Sequence, residues 1–521
     1  MRGDAADPRL LPPGWDAGTA APMRRVRLLV LIALPLTAWY FGWLLQPDRI
    51  GEPVLYAMLV GAELFNLAQA SGFWWTVTRA PRARRRRPLS GRVKVDVMIP
   101  VYDEPVDVVE PTVAAARRMS GARVRVHLLD DGDREEIMEM AARQGARYLR
   151  RGGNFGAKAG NVNAALSRTS APYVVVLDCD HVPDSHFLDW TLDLMADESV
   201  AYVQTPQYYA NSGSGGIAAG SWAQQALFFG AISRGKAAEG AMFCCGTNVL
   251  FRRTALESVG GFPLGSLTED FELSVKLQER GWQGRYVPKV LARGLGPEDM
   301  ASYVSQQQRW ARGCLGALRS TLRARLPLRV RIQYTLSSLY FLSGWTLLVY
   351  MSFPVIRLVT GAQPIAEGTA DQFLIHFAPY FVTALTTVAV AGTGAYTFAA
   401  FALAAASFWI HVQASIRALL RRAGRFVVTP KRGAAQRQPR AVAPTLLAIA
   451  ALIAVSAYGL VRDRSPATLN NVAFALLHVS VLSSGAWYAL ARQGGTREAP
   501  RPEREDAERP RPEPELVEEA A

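Results

Sequence analysis

The sequence has few cysteines, and their positions exclude a scaffold held together by disulfides. Four occur in 521 residues, namely Cys179, Cys244, Cys245 and Cys314, and all four lie in the polar middle of the chain. None of them forms a CxxC pair, which also excludes a structural zinc site of that kind. This cysteine usage indicates a reduced, cytosolic middle domain.

The N-terminus lacks the features of a cleavable secretion signal. The first apolar run, residues 26–46, is too long and ends in bulky tryptophan and leucine, whereas a cleavage site requires small residues. We therefore expect residues 1–25 to be retained as a cytosolic N-terminal segment.

Acidic residues are fewer than basic ones, and the positions of the excess positive charges argue against a nucleic-acid partner. With 58 lysines and arginines against 44 acids, the formal net charge is +14 and the pI is near 9.8. A protein this basic could bind nucleic acid. Its arginines, however, cluster at the ends of apolar runs, as in "RRVR" and "RARRRR". This is the positive-inside pattern of membrane proteins, so we expect no nucleic-acid partner.

Long apolar runs flank the polar middle of the chain and predict a multi-pass protein of the plasma membrane. A run of about 20 apolar residues spans the ~30 Å hydrocarbon core of a bilayer. The loop 417–440 carries eight cations and should be cytosolic, whereas the loop 361–372 carries none and should lie outside. The apolar run 395–418 must then lie in the interface or re-enter. We predict six spans, both termini in the cytosol, and a disordered tail over 492–521.

The polar middle reads as an α/β domain. The short β-branched runs "VKVDVMIPV", "VRVHLLD" and "YVVVLD" alternate with segments of helical composition between residues 93 and 325. This alternation predicts βαβ units around a parallel-type sheet.

One predicted strand ends in a pair of aspartates that could hold a metal ion. Asp178 and Asp180, in "VVVLDCDHVP", are spaced so that both carboxylates can point the same way. Hard carboxylate oxygens suit Mg²⁺ or Mn²⁺, which bridge phosphate oxygens. A solvated turn at the end of the strand is the alternative interpretation. His181 is either a third ligand or a residue that caps the turn.

Two earlier strand ends repeat this acidic arrangement. "HLLDDGD" carries Asp130 and Asp131, which either form a turn or accept hydrogen bonds from a base or ribose. "IPVYDEP" carries Tyr102 and Glu104. Between them, "GNFGAKAGNVN" opens a helix and holds Lys158, a point charge suited to a diphosphate in a chain with few lysines.

Two further motifs combine a simple structural interpretation with a chemical one. In "GSLTEDFEL", Ser266 or Thr268 is a predicted N-cap, and Glu269 and Asp270 fall in the first turn, where the helix dipole alone would favour acids. In "QQQRW", residues 306–310, arginine and tryptophan suit an amphipathic helix at the membrane surface. The same residues could instead bind a substrate.

Taken in order, these motifs resemble the family 2 glycosyltransferases with membrane spans, specifically the processive, cellulose synthase-like synthases of bacteria. The resemblance covers roughly residues 93–325 and rests on "VYDEP", "LLDDG", "KAGNVN", "DCDH", "TPQYY", "GTNVLFRR", "TED" and "QQQRW". A later match, "FVVTPK", is similar to the gating loop of bacterial cellulose synthases. The resemblance implies an α/β cytosolic glycosyltransferase domain of GT-A type, with a Rossmann-like mixed sheet, inserted between transmembrane α-helices.

The domain boundaries follow from the apolar runs and this resemblance. After the N-terminal segment we expect two transmembrane helices (26–78), the glycosyltransferase domain ending in an interface helix (93–325), two transmembrane helices (333–391), an interfacial helix with the gating loop (395–440) and two transmembrane helices (441–491). Only about thirty residues follow the last run, so we expect no PilZ domain there.

The resemblance also implies roles for individual residues. The TED motif would supply catalysis through Glu269 and Asp270, with Asp270 as general base. The metal ligands, for Mg²⁺ or Mn²⁺, would be Asp178, Asp180 and His181. Residues that bind the substrates would be Tyr102, Glu104, Asp130, Asp131, Lys158, Gln306, Arg309, Trp310, Phe426, Thr429 and Lys431.

The implied function is an inverting, processive β-glycosyltransferase that makes a β-glucan-type polysaccharide and moves it across the membrane. Its partners would be a nucleotide sugar (UDP-glucose or a similar donor), the growing polysaccharide acceptor, membrane lipid, and a periplasmic or cell-wall export partner. A non-processive transferase acting on a membrane lipid is the alternative. A non-catalytic channel or scaffold is a third hypothesis, although the intact acidic motifs argue against it.

Overall fold

The computed structural model of the chain describes residues 20–79, 93–366, 370–420 and 438–491. Two long apolar helices come first, α1 (Ala20–Leu44) and α2 (Pro53–Val77). Helix α2 starts where its sequence predicts a start: Pro53 occupies the first turn, and the Glu52 carboxylate accepts a hydrogen bond from the Leu55 amide at 2.7 Å.

The polar middle folds around a seven-stranded mixed sheet in the order β3-β2-β1-β4-β8-β6-β9, with a small second sheet in the order β5-β10-β7. The strands are β1 (Lys94–Val101), β2 (Arg123–Asp130), β3 (Arg147–Arg150), β4 (Tyr173–Val176), β5 (Val182–Pro183), β6 (Val200–Gln204), β7 (Tyr208–Tyr209), β8 (Val249–Arg252), β9 (Gln283–Tyr286) and β10 (Ala292–Gly294).

The three β-branched runs identified in the sequence become β1, β2 and β4, which are neighbouring parallel strands. Strand β4 is buried along its whole length, as expected for a central strand covered on both faces. Strand β8 runs antiparallel between β4 and β6, which makes the sheet mixed rather than purely parallel.

This domain also contains helices that connect or flank the strands, and the last of them packs against helices of the C-terminal part. The helices of the domain are α3 (Val106–Arg117), α4 (Glu135–Arg143), α5 (Ala157–Leu166), α6 (Phe187–Thr191), α7 (Gly216–Leu227), α8 (Ser233–Ala238), α9 (Arg253–Ser258), α10 (Glu269–Glu279) and α11 (Met300–Arg323). Two apolar clusters, one on each face, form the core of this domain.

The C-terminal part is helical. It comprises α12 (Leu328–Leu339), α13 (Ser343–Thr360), α14 (Ala370–Ala391), α15 (Phe398–Ala406), α16 (Phe408–Leu419), α17 (Ala443–Arg462) and α18 (Pro466–Leu490). Among the described residues, six helical stretches are long and apolar enough to cross a membrane, in agreement with the six predicted spans. Helices α15 and α16 are bent by 44° at their junction. This is the segment that charge placed in the interface or in a re-entrant loop.

A close-packed joint connects the α/β domain to the membrane helices. Gly235 in α8 leaves no space for a side chain, since a Cβ there would lie 2.0 Å from the carbonyl oxygen of Thr76 in α2. The Lys236 ammonium donates to the backbone and side-chain oxygens of Gln333 at 3.0 and 3.1 Å. The Gln333 amide donates in turn to the Thr76 hydroxyl at 2.8 Å. Helices α2, α8 and α12 are thus joined at one point.

Candidate active site

The carboxyl ends of three strands meet at one large cavity. Its volume is about 900 Å³, and the residues that follow β1, β2 and β4 form one wall. The N-terminal half of α11 forms the facing wall. Ligands of open α/β sheets bind at the carboxyl ends of the strands, so this cavity is the candidate active site.

Most of the predicted site residues line this cavity. They are Tyr102, Glu104, Asp131, Lys158, Asp178, Asp180, His181, Glu269, Asp270, Gln306, Arg309 and Trp310. They come from six separate segments of sequence, which the fold brings together. The remaining predicted residues are Asp130, which lies elsewhere, and Phe426, Thr429 and Lys431, which lie outside the described residues.

Asp130 does not occupy the predicted position, because its carboxylate builds a turn. One oxygen accepts from the Gly132 amide at 2.8 Å, and the other accepts from the Arg134 amide at 2.9 Å and the Tyr148 hydroxyl at 3.0 Å. The residue is 1% exposed. Asp130 therefore shapes the turn, and its neighbour Asp131 is the aspartate that faces the cavity.

The end of β1 forms the rim of the cavity. The Tyr102 ring is 44% exposed, and its backbone amide donates to the Glu104 carboxylate at 2.9 Å. The Arg134 guanidinium donates to the Glu104 carbonyl oxygen at 2.6 Å. Glu104 is thus held by its own turn, while the aromatic face of Tyr102 stays accessible.

Asp178, Asp180 and His181 form a cluster with the chemistry of a divalent-metal site. One ligand atom from each lies within 4.8 Å of the others. Both ring nitrogens of His181 are buried and make no hydrogen bond to the described residues. His181 Nδ1 lies 3.5 Å from Asp180 Oδ1, and two carboxylates beside this imidazole are a donor set that fits Mg²⁺ or Mn²⁺.

Lys158 reaches the same cluster from the start of α5. Its ammonium bonds to the Asp178 carboxylate and donates to the carbonyl oxygen of Gly246 at 2.8 Å. Burial alone would lower the pKa of Lys158, but the carboxylates around it, first Asp178 and then Glu269, raise it. Lys158 is therefore a fixed positive charge inside the cavity.

Asp270 lies near that charge, in the first turn of α10: a Cβ on Gly246 would be 3.0 Å from the Asp270 carboxylate and 3.8 Å from the Lys158 ammonium. Asp270 Oδ1 accepts from the Phe271 amide at 2.8 Å. Burial, and next the negative charge of Glu269, raise the pKa of Asp270 to about 7. A carboxylate whose pKa lies near neutrality is well matched to accept a proton from a hydroxyl group at physiological pH.

Helix α10 starts at one of the two predicted N-cap residues. Thr268 occupies the N-cap position, but its side chain makes no capping hydrogen bond. It packs instead against α11, where Gly313 has no space for a side chain: a Cβ there would lie 2.3 Å from Thr268 Cγ2. Gly313 therefore allows α11 to approach the TED motif closely.

Helix α11 presents the QQQRW motif to the cavity and also packs against α16. The Asp299 carboxylate caps the helix by accepting from the amide three residues later at 2.9 Å. Gln306 donates to the Tyr209 hydroxyl at 3.2 Å, and Arg309 and Trp310 also line the cavity. The helix thus contributes both to the cavity and to a helix–helix contact, and Trp310 takes part in both.

Several residues of the cavity wall have no role that the sequence predicted. Gln207 lines the cavity, and its amide donates to the Cys245 carbonyl oxygen at 2.6 Å. Asn154 lines the wall beside Lys158. "TPQYY" and "GNFG" contain these residues, but nothing in the sequence alone indicates that both segments lie at the same cavity.

Comparison with known proteins identifies the domain. Residues 173–393 match the family described as glycosyl transferase family group 2. Cellulose synthase 1 catalytic subunit (UDP-forming) of Komagataeibacter xylinus is 30% identical over 485 residues, which cover 89% of this chain and 63% of that protein. The cellulose synthase catalytic subunit (UDP-forming) of Xanthomonas axonopodis pv. citri is 34% identical over 345 residues, 61% of this chain and 46% of that protein.

The chain thus spans about half to two thirds of the length of these relatives. Among solved structures, a mannosyltransferase from Pyrobaculum calidifontis, PcManGT, in complex with GDP-Man and Mn²⁺, matches with a TM-score of 0.53 and 17% identity. The match covers 71% of this chain and 99% of that one. It confirms the predicted glycosyltransferase fold, and the sequence relatives confirm the resemblance that the motifs indicated.

Proposed function

The chain contains a glycosyl transferase family group 2 domain, and from this premise we propose that it is a processive, inverting β-glycosyltransferase of the membrane. The donor is a nucleotide sugar, with UDP-glucose as the first candidate, and the product is a β-glucan-type polysaccharide that the membrane helices translocate. The observation that carries the proposal is the convergence of the TED, aspartate-pair and QQQRW motifs on one cavity.

The donor half of the cavity is suited to a nucleoside diphosphate. Tyr102 and Asp131 offer an aromatic face and a carboxylate acceptor to the nucleoside, and Lys158 offers a positive charge to the diphosphate. Asp178 and Asp180, with His181, would hold Mg²⁺ or Mn²⁺. Such an ion, when bound, neutralises charge on the departing diphosphate. The related fold of PcManGT was solved with GDP-Man and Mn²⁺, which supports this assignment.

The transfer step is a single displacement. The Asp270 carboxylate takes the proton of an acceptor hydroxyl, whose oxygen attacks the anomeric carbon as the bond from that carbon to the diphosphate oxygen breaks. The nucleoside diphosphate leaves, and an α-linked donor becomes a β-linked product. Gln306 and Arg309 hydrogen-bond the acceptor and the diphosphate, and the Trp310 indole stacks on the terminal sugar.

The test uses the full chain in lipid nanodiscs, with Mg²⁺ or Mn²⁺ and each of several UDP- and GDP-sugars in turn. We expect one donor to yield an insoluble polymer that a linkage-specific β-glycanase degrades, and the Asp270→Asn variant to yield none. If the label is instead recovered in an organic extract as a single-sugar lipid, the alternative lipid transferase is correct. If no donor is consumed, the chain is not this enzyme.

A further inference from the structure

Arg151 lies between two parts of the cavity wall and holds both of them. Its Nε and Nη2 donate to the two carboxylate oxygens of Asp131, each at 2.7 Å. Nη1 donates to the Phe155 carbonyl oxygen at 2.7 Å, and Nη2 also donates to the Ala157 carbonyl oxygen at 3.0 Å. One guanidinium thus ties the aspartate after β2 to the loop that leads into Lys158.

This ion pair is largely withdrawn from water, unlike the adjacent one. The side chains of Arg151 and Asp131 are 12% and 6% exposed, whereas the neighbouring pair Arg150–Asp133 is 63% exposed on both sides. A bidentate, mostly buried pair is held far more firmly than a solvated one. The chain therefore carries two consecutive arginines with the same kind of partner but different environments.

The loop that Arg151 holds has a backbone conformation that needs support. Gly153 and Gly156 have φ of 75° and 74°, and Ala157 has φ of 45°, which is unfavourable for a residue with a Cβ. Such a conformation persists only when surrounding contacts hold it. Gly160 makes room for the guanidinium, since a Cβ there would lie 2.6 Å from Arg151 Nη1.

We propose that Arg151 is a positioning residue that joins the nucleoside side and the diphosphate side of the donor site into one unit. This inference rests on the proposed function. Through Asp131 it fixes the carboxylate that faces the nucleoside. Through the carbonyl oxygens of Phe155 and Ala157 it fixes the loop that sets the position of Lys158. The spacing between the two halves of the donor is then set by a single side chain.

Only arginine has the geometry for this task. Its planar fork donates in three directions at once, to a carboxylate on one edge and to two carbonyl oxygens on the other. A lysine at the same position keeps the positive charge, but its single nitrogen cannot reach all three acceptors. Arg151→Lys therefore separates charge from geometry.

The experiment measures UDP binding by calorimetry and inhibition of donor turnover by inorganic pyrophosphate, in nanodiscs with Mg²⁺. We expect Arg151→Lys to weaken UDP binding about 10- to 100-fold, as for loss of hydrogen bonds between charged groups. It should raise KM for the donor by a similar factor, with kcat within about threefold, because nucleotide binding is lost equally in the ground and transition states. Arg150→Ala is the matched control and should match wild type.

The link between the two halves is tested by comparison with Asp131→Asn. That variant should weaken UDP binding more than inhibition by pyrophosphate, because the Arg151 guanidinium still holds both loop carbonyl oxygens, whereas Arg151→Lys should weaken both by a similar factor. If Arg151→Lys behaves like Arg150→Ala, or weakens UDP but not pyrophosphate, the proposed link is overturned.

Two further measurements separate the proposed role of Arg151 from a folding defect in a variant and from a failure of the proposed function. In Asp131→Asn, amide hydrogen exchange over residues 152–157 should become faster, because the Arg151 guanidinium loses one of its partners. Unchanged exchange would overturn the proposed link, and this measurement needs no variant of Arg151 itself. Wild-type protein that binds no UDP would refute the proposed function instead, whereas wild-type binding with unaffected Arg151 variants refutes only this inference.

Discussion

The raised pKa of Asp270 predicts a specific pH dependence of catalysis. The carboxylate must be ionised to accept a proton, and its pKa is raised to about 7, first by burial and then by Glu269. About a tenth of the molecules would carry the ionised base at pH 6 and about nine tenths at pH 8. At saturating donor, polymer synthesis should therefore fall about tenfold for each pH unit below the midpoint.

Two variants separate this cause from others. Asp270→Asn should lose the ~10²- to 10⁴-fold contribution of a general base, equivalent to roughly 3–5 kcal/mol of activation free energy, at every pH. Glu269→Gln removes the second cause of the shift and should move the acidic limb to lower pH, though not to the value of an ordinary aspartate. Burial, the larger cause, remains in that variant.

The assay is the initial rate of polymer formation between pH 5.5 and 9, with UDP affinity measured by calorimetry across the same range. The reasoning fails if the rate is flat through pH 7 while UDP affinity is constant. It also fails if Asp270→Asn retains the acidic limb of the wild-type profile, because another group would then be titrating.

The same pKa shift predicts an effect on stability. Because the folded state raises the pKa of Asp270 from the ordinary aspartate value of 3.8 to about 7, protonation favours the fold. This stabilisation is fully present below about pH 4 and is lost as the pH rises through about 7. Without nucleotide, Asp270→Asn should therefore have a higher melting temperature than wild type at pH 8 and a similar one at pH 4; a lower value at pH 8 would contradict the shift.

Three further predictions concern other parts of the site. Asp180→Ala, or EDTA added to wild type, should abolish transfer and weaken UDP binding, and transfer that resists EDTA would make the aspartate pair a simple turn. Gly313→Ala should reduce activity at least tenfold, because its methyl group would press on the threonine of the TED motif, whereas Gly316→Ala, which meets nothing within 4 Å, should be neutral. Lys431→Ala should depress polymer formation while Arg437→Ala has little effect, and equally small effects would make that segment a simple linker.

The sequence predicts the parts of the fold that depend on local pattern. The strands β1, β2 and β4 are evident because β-branched runs of that length have few alternatives, and the acidic residues after them had to meet at one edge of a parallel sheet. The antiparallel insertion of β8 between β4 and β6 confirms the mixed sheet that the family resemblance implied, but the strand order itself leaves no local signal because the pairing is at long range.

The candidate site also has parts that the sequence predicts and parts that only the folded structure reveals. Adjacent aspartates in "DDG" look equivalent in the sequence, and only the turn geometry shows that Asp130 is consumed by backbone amides while Asp131 faces the cavity. Arg151 was missed because arginine is abundant in this chain and its partners are a distant aspartate and two backbone carbonyl oxygens, which leave no sequence signal. Of the two predicted N-cap candidates, Ser266 and Thr268, the structure places Thr268 at the N-cap, although its side chain packs against α11 and makes no capping hydrogen bond.

The close joint between the α/β domain and the membrane helices has a mechanical consequence. In the proposed function, each transfer lengthens a polymer that passes between the membrane helices. A catalytic domain that could tilt on these helices would move at each transfer instead of advancing the product. With Gly235 pressed against the Thr76 carbonyl, and Lys236 tied to Gln333, the domain has little freedom to tilt. Under the proposed function, the joint would keep the catalytic domain fixed on the membrane helices while each sugar is added.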